Sequence, residues 1–125
     1  MFDPKLVTIL VVDDEEGIRE VLTMNLEMDG FNVVSAAGAL EAIDLLKGDH
    51  KIDFIFSDVR MPKGDGVSLV KFVNEKFQGA LPVILLSGYA EISEEEVKKI
   101  GALRLISKPP DIDYLIELVK QHCQK

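Results

Sequence analysis

Ile9-Leu10-Val11-Val12-Asp13-Asp14 sets four consecutive apolar residues, three of them β-branched, directly before two carboxylates. The construction recurs downstream: Phe54-Ile55-Phe56-Ser57 leads to Asp58, Val83-Ile84-Leu85-Leu86 to Ser87, and Leu105-Ile106-Ser107 to Lys108. Runs that are apolar at consecutive rather than alternate positions belong to strands covered on both faces, the condition of a parallel sheet. In open parallel α/β sheets ligands bind outside the carboxyl ends of the strands. Asp13, Asp14, Asp58, Ser87 and Lys108, far apart in the chain, are therefore expected at one edge.

Helical patterns fill the intervals. Ile18, Val21, Leu22 and Leu26 keep helical spacing up to Gly30, after which Phe31 to Ala36 reads as a short second strand. Ala39, Ala42, Ile43 and Leu46 precede Gly48, and Leu69, Val70, Val73 and Phe77 follow the turn Met61-Pro62-Lys63-Gly64-Asp65-Gly66. Ser93 with Glu96 forms a capping box and Ile92 with Val97 its hydrophobic staple, starting a helix near Glu94 that ends at Gly101. Asp111 caps a last helix whose buried stripe is Ile112, Leu115, Ile116 and Val119. Strict alternation of strands and helices predicts a doubly wound (βα)5 α/β fold, flavodoxin-like, with strand order 2-1-3-4-5 and a single domain over residues 1–125. Its switch point, between strands 1 and 3, is bordered by Asp13, Asp14 and Asp58.

The balance of 22 acidic against 14 basic residues, a formal charge of -8, argues against a nucleic-acid or anionic-membrane surface and favours a cation as partner. No apolar stretch approaches the length of a membrane span, and no basic segment leads into an apolar signal at the N-terminus, so a cytoplasmic location is expected. The one cysteine, Cys123, has no internal partner and reads as an inert residue of the last helix. His50 and His122 have no acidic or thiol neighbour at ligand spacing and read as surface residues.

Three carboxylates at one edge repel one another, and a divalent cation removes the conflict. Magnesium takes oxygen ligands, keeps several waters and is commonly held by one or two carboxylates plus phosphate oxygens. Asp58, on the central strand, is the candidate nucleophile for an acyl phosphate. Asp13 and Asp14 then hold the metal, Ser87 donates a hydrogen bond to a phosphoryl oxygen, and Lys108 supplies a point charge. Taken singly, a strand-end Asp is more often a cap, a serine a turn residue and a lysine solvated. Coincidence at four strand ends reverses that weighting.

Val11-Val12-Asp13-Asp14-Glu15, Ser57-Asp58-Val59-Arg60-Met61-Pro62 with Gly64-Asp65-Gly66, Leu86-Ser87-Gly88 and Ser107-Lys108-Pro109 together resemble the receiver domain of two-component response regulators, of the chemotaxis-regulator kind, over essentially the whole chain. The resemblance implies a phosphorelay switch rather than an enzyme, one that promotes its own phosphorylation and slow dephosphorylation. Asp58 would take the phosphoryl group from a phosphohistidine on a sensor histidine kinase or a histidine phosphotransfer protein. Asp14 and Asp58 would bind magnesium directly, Asp13 through water, and the backbone carbonyl of Arg60 would be a further ligand. Ser87 would move toward the phosphoryl group, and the Lys108–Pro109 bond is expected to be cis. The switched surface would be helix 4, strand 5 and helix 5, acting on a downstream protein that the sequence does not name, with dimerisation on phosphorylation left open. One departure matters: Leu105 stands where the family usually has Tyr or Phe, so aromatic gating is not expected, and Tyr89 is the candidate substitute. Arg60 and Tyr89 are expected to overhang the phosphoryl group and slow attack by water.

Other readings are weaker. A phosphatase of the haloacid dehalogenase type needs Asp-x-Asp after strand 1, where this chain has Asp13 followed two positions later by Glu15. A flavodoxin needs a phosphate-cradling loop there, and Asp13-Asp14-Glu15-Glu16 would repel the phosphate. A receiver-like module that binds partners without phosphorylation is disfavoured by the intact set of five residues.

Overall fold

A computed structural model describes residues 2–48, 51–61, 65–88 and 92–123. After a short 3-10 turn at Pro4–Leu6, five strands alternate with helices: β1 Thr8–Val12, α1 Glu16–Met28, β2 Asn32–Ala36, α2 Ala39–Lys47, β3 Phe54–Asp58, α3 Gly66–Phe77, β4 Val83–Ser87, α4 Glu94–Lys99, β5 Arg104–Ser107 and α5 Ile112–His122. The strands form one parallel sheet in the order β2-β1-β3-β4-β5, as the alternation predicts. Pro62, Lys63 and Gly64 of the expected turn, Tyr89 and His50 lie outside the described residues.

The pleat divides each central strand between two cores. Leu10, Val12, Ile55 and Leu85 face Leu46 of α2, Leu69 and Val73 of α3 and Val97 of α4. Ile9, Val11, Phe54, Phe56, Ile84 and Leu86 face Leu22 and Leu26 of α1 and Leu115 and Val119 of α5. β3 and β4 are buried at every position, the reason their sequences do not alternate. Burying each such side chain contributes roughly 1.5–3 kcal/mol, so the central strands hold the sheet while its edges carry polar residues.

Helix ends follow the sequence signals. Asp65, Ser93 and Asp111 cap α3, α4 and α5 by accepting backbone N–H groups. At Ser93 the reciprocal half of the box differs: the hydroxyl donates to the Glu96 carboxylate at 3.3 Å, one side chain to another. Gly30 and Gly101 take left-handed conformations (φ 100° and 105°) just past α1 and α4. The C-terminus of α4 is pinned from α3, where the Asn74 amide donates to the Ile100 carbonyl at 2.7 Å. Burial refines two helical stripes. Ile18 and Val21 are 37% and 58% exposed, because α1 turns only Leu22 and Leu26 into the core. In α5, Leu118 joins the buried face while Ile112 is only half-buried. Cys123 follows α5 as a buried residue, its thiol 3.5 Å from the Asp53 carbonyl. Among the described residues, no helix is long and apolar enough to cross a membrane.

Gly66 starts α3 hard against β3: a Cβ there would stand 2.4 Å from the Asp58 carbonyl oxygen and 3.2 Å from the Val59 Cα. Neither is a flexible side chain that can swing away. Gly66→Ala is therefore expected to destabilise the fold by about 1–3 kcal/mol, the usual cost of overpacking, read as a lower urea midpoint with an unchanged slope.

Candidate functional site

Register makes the strand ends level. Val12 pairs with Ser57, Asp58 with Leu86, and Ser87 with Ser107, so the next residue of each strand or loop enters the same edge. A backbone hydrogen bond of 2.9 Å from the Lys108 N–H to the Ser87 carbonyl extends the β4–β5 ladder to the lysine. The Lys108–Pro109 peptide is cis, as expected.

All five sequence-predicted side chains meet there. Asp13 and Asp58 are 3% and 9% exposed, and Ser87 is buried, whereas Asp14 faces solvent. The Lys108 ammonium bridges the two buried carboxylates, 2.9 Å from Asp13 Oδ2 and 3.2 Å from Asp58 Oδ2. A cavity of about 300 Å³ opens over them, lined by Asp14, Asp58, Arg60, Ser87 and Lys108. The Asp13 side chain is spoken for on both oxygens, since its Oδ1 accepts the Glu15 N–H at 2.9 Å. Its backbone is held too, by the Asp13 N–H to the Ala36 carbonyl at 3.1 Å and by Arg19 Nη1 donating to the Asp13 carbonyl at 2.7 Å.

Electrostatics follow from this enclosure. Burial pushes the Asp58 carboxyl above its ordinary range, and the neighbouring Asp13 charge adds to the rise; the hydrogen bond and charge of Lys108 oppose it without cancelling it. For Lys108, burial works against the ammonium, but hydrogen bonds and charges from Asp13 and Asp58 outweigh it and hold the group above its usual value. The site thus keeps a permanent cation beside a carboxylate that ionises at a cost.

One carboxylate oxygen from each of Asp13, Asp14 and Asp58 lies within 4.8 Å of the other two. An all-oxygen donor set with solvent on the Asp14 side fits a hard cation such as magnesium, which retains waters. Absence of nitrogen or sulfur donors from that set disfavours zinc.

Sequence reading missed four contacts. Arg19 acts on the Asp13 carbonyl from within α1, and Ser57 donates from its hydroxyl to the Asp58 carbonyl at 2.9 Å. Glu94, named in the sequence only as the start of a helix, accepts from Arg104 Nε at 2.6 Å, and the same guanidinium lies 5.9 Å from the centre of the Tyr114 ring. The only sequence signal for Arg19 was a cation one turn into a helix that follows an acidic loop.

Residues 9–120 match the family described as the response regulator receiver domain. Sporulation initiation phosphotransferase F of Bacillus subtilis is 32% identical over 91% of this chain and 91% of its own length. Regulatory protein AtoC of Escherichia coli is 33% identical over 93% of this chain, which spans only 25% of that longer protein. Among solved structures, response regulator TrrA of Thermotoga maritima, in complex with Mg²⁺ and BeF, superposes with a TM-score of 0.81 at 29% identity, covering 93% of this chain and 98% of the other.

The raised Asp58 carboxyl fixes the sign of a pH effect. A carboxyl whose folded pKa exceeds its unfolded one binds more protons in the folded state between those two values, so stability falls as pH rises through that window and the loss is complete above it. Asp58→Asn is therefore expected to melt higher than the wild type near neutral pH in EDTA, with the gap closing as pH drops below the ordinary carboxylate range. A gap that widens on acidification would contradict the assignment.

Proposed function

The chain belongs to the response regulator receiver domain family and is a phosphoacceptor of two-component signalling; from that premise we propose that Asp58 is the residue phosphorylated and that Asp14, Asp13 and the Arg60 carbonyl hold magnesium beside it. The observation that carries this reading is the Lys108 ammonium shared between two buried carboxylates at level strand ends.

An Asp58 oxygen attacks the phosphorus of a phosphohistidine in line. The P–N bond breaks, and the imidazole leaves as the neutral ring after taking up a proton. Lys108 follows the new negative charge outward from Asp58 to a phosphoryl oxygen, and Ser87, which also lines the cavity, donates its hydroxyl to another. Magnesium, when bound, neutralises charge on the phosphoryl oxygens and on the crowded carboxylates. Arg60, exposed and lining the cavity, pairs with the phosphoryl group and limits the approach of water, which sets slow self-dephosphorylation.

The donor is a sensor histidine kinase or a histidine phosphotransfer protein, met in the cytoplasm. It docks on the groove of about 680 Å³ between α1 and the start of α5, whose apolar wall is Ile18, Val21, Leu22, Pro109, Pro110 and Ile112. Glu15 and Lys108 line both this groove and the acidic cavity, so a helix seated in one presents its side chains to the other. The exposure of Ile18 and Val21 then has a use. On the far side, the output face runs over α4, β5 and α5, where Glu94, Arg104 and Tyr114 meet; it engages a downstream protein or a second copy of the chain.

Incubation with magnesium and acetyl phosphate should add one phosphoryl group by intact mass, lost in hydroxylamine. Asp58→Asn should reduce the product to background, and full phosphorylation of that variant would remove Asp58 from the role. Millimolar magnesium should raise the melting temperature of the wild type, with Asp14→Ala losing most of the rise and Asp13→Ala less. Lys108→Ala should still be phosphorylated, but without the amide shifts that phosphorylation produces in α4 and β5 of the wild type.

A further inference from the structure

Arg19 does not line the acidic cavity; it borders a separate recess with Glu20, Thr23, Met24 and Ser35. Its one described side-chain bond is nonetheless aimed back at the site, from Nη1 to the carbonyl oxygen of Asp13 at 2.7 Å. That oxygen belongs to the peptide joining Asp13 to Asp14. A peptide unit is planar, so fixing its carbonyl also fixes the opposed Asp14 N–H and the direction in which the Asp14 Cα leaves the plane. The preceding N–H is tied to β2 through Ala36, and the following one, on Glu15, is tied to Asp13 Oδ1. With those two ends held, rotation of the 13–14 peptide is the freedom left to the loop, and Arg19 removes it.

We propose that Arg19 is a positioning residue for the metal site: by locking the Asp13–Asp14 peptide it presents the exposed Asp14 carboxylate in the orientation that magnesium needs. This deepens the reading of Asp14 as a magnesium ligand and rests on it. Arg19 touches neither metal nor phosphoryl group. Its backbone N–H donates to the Glu15 carbonyl at 3.0 Å, which places the side chain one helical turn beyond the loop it holds. Charge alone predicts the opposite effect, because removing a cation near three carboxylates would strengthen their attraction for magnesium. The sign of the change therefore separates positioning from simple electrostatics.

The test is magnesium titration of the unphosphorylated protein, followed by the amide signal of Asp14 and by melting temperature, with Arg19→Met and Arg19→Lys beside the wild type. Arg19→Met keeps the length of the stem and loses the donor. It is expected to weaken magnesium binding about ten-fold, the scale seen when partners of metal ligands are removed. It should also raise the magnesium concentration for half-maximal phosphorylation by acetyl phosphate in the same proportion, leaving the rate at saturating magnesium within two-fold of wild type, a split of about ten to two in the same terms. Arg19→Lys keeps the charge and one donor and should recover most of the affinity. Unchanged or tighter magnesium binding in Arg19→Met overturns the proposal, as does an Arg19→Lys protein as weak as the Met variant. If Arg19→Met does not fold in EDTA, the Lys variant decides: an Asp14 amide that still shifts with magnesium near the wild-type concentration supports the proposal, and one that does not overturns it. A wild type with no magnesium response would sink the metal assignment itself, an outcome distinct from loss in the variants alone.

Discussion

Two buried carboxylates at the ends of adjacent strands cannot both stay ionised without a cation between them, and Lys108 is that cation. Much of the architecture follows from bringing it there. Asp13 leaves β1 and Asp58 ends β3, neighbours only because the chain reverses its direction of winding at this point. Lys108 arrives from beyond β5, two strands away, and reaches them across the end of β4. The order of the strands is therefore also the order of charges around the cavity. A single ammonium against three carboxylates leaves the site with a net negative charge, open to a further cation.

How far the sequence carried this can be seen residue by residue. β1, β3 and β4 were legible because double-sided burial leaves unbroken apolar runs, and the edge chemistry because those runs end on polar groups. Capping signals at Ser93 and Asp111 were local and therefore readable. Helix orientation was less so. Ile18, Val21, Leu22 and Leu26 share a stripe wide enough to face the core in more than one rotation, and packing against the sheet and α5 decides that Leu22 and Leu26 go in. Contacts such as Arg19 to the Asp13 carbonyl or Arg104 to Glu94 depend on where a long side chain comes to rest on a folded surface, which spacing does not encode.

The two faces of the sheet are packed for different tasks. α1 and α5 share a core with the aromatic pair Phe54 and Phe56 and border an apolar groove. α4 is only six residues long, too short to be stable by itself, and depends on Val97 in the opposite core, on Asn74 at its C-terminus and on Arg104 at its N-terminus. Leu105 packs toward the same core without offering a ring that could swing between two positions. Any rearrangement of this face is thus a movement of the helix against its three attachments.

The attachment at Glu94 and Arg104 differs in kind from the bridge at Lys108. The side chains of both partners of the first are about two-fifths exposed, at 40% and 38%, whereas those of Lys108 and Asp13 are at 15% and 4%. Mobile ions in the surrounding solution screen exposed pairs far more than enclosed ones. The molecule accordingly has two electrostatic compartments. Rising ionic strength loosens the tie at the start of α4 while leaving the balance around Asp58 nearly untouched, so the solution itself sets how much of a chemical event at one end of the sheet is felt at its surface.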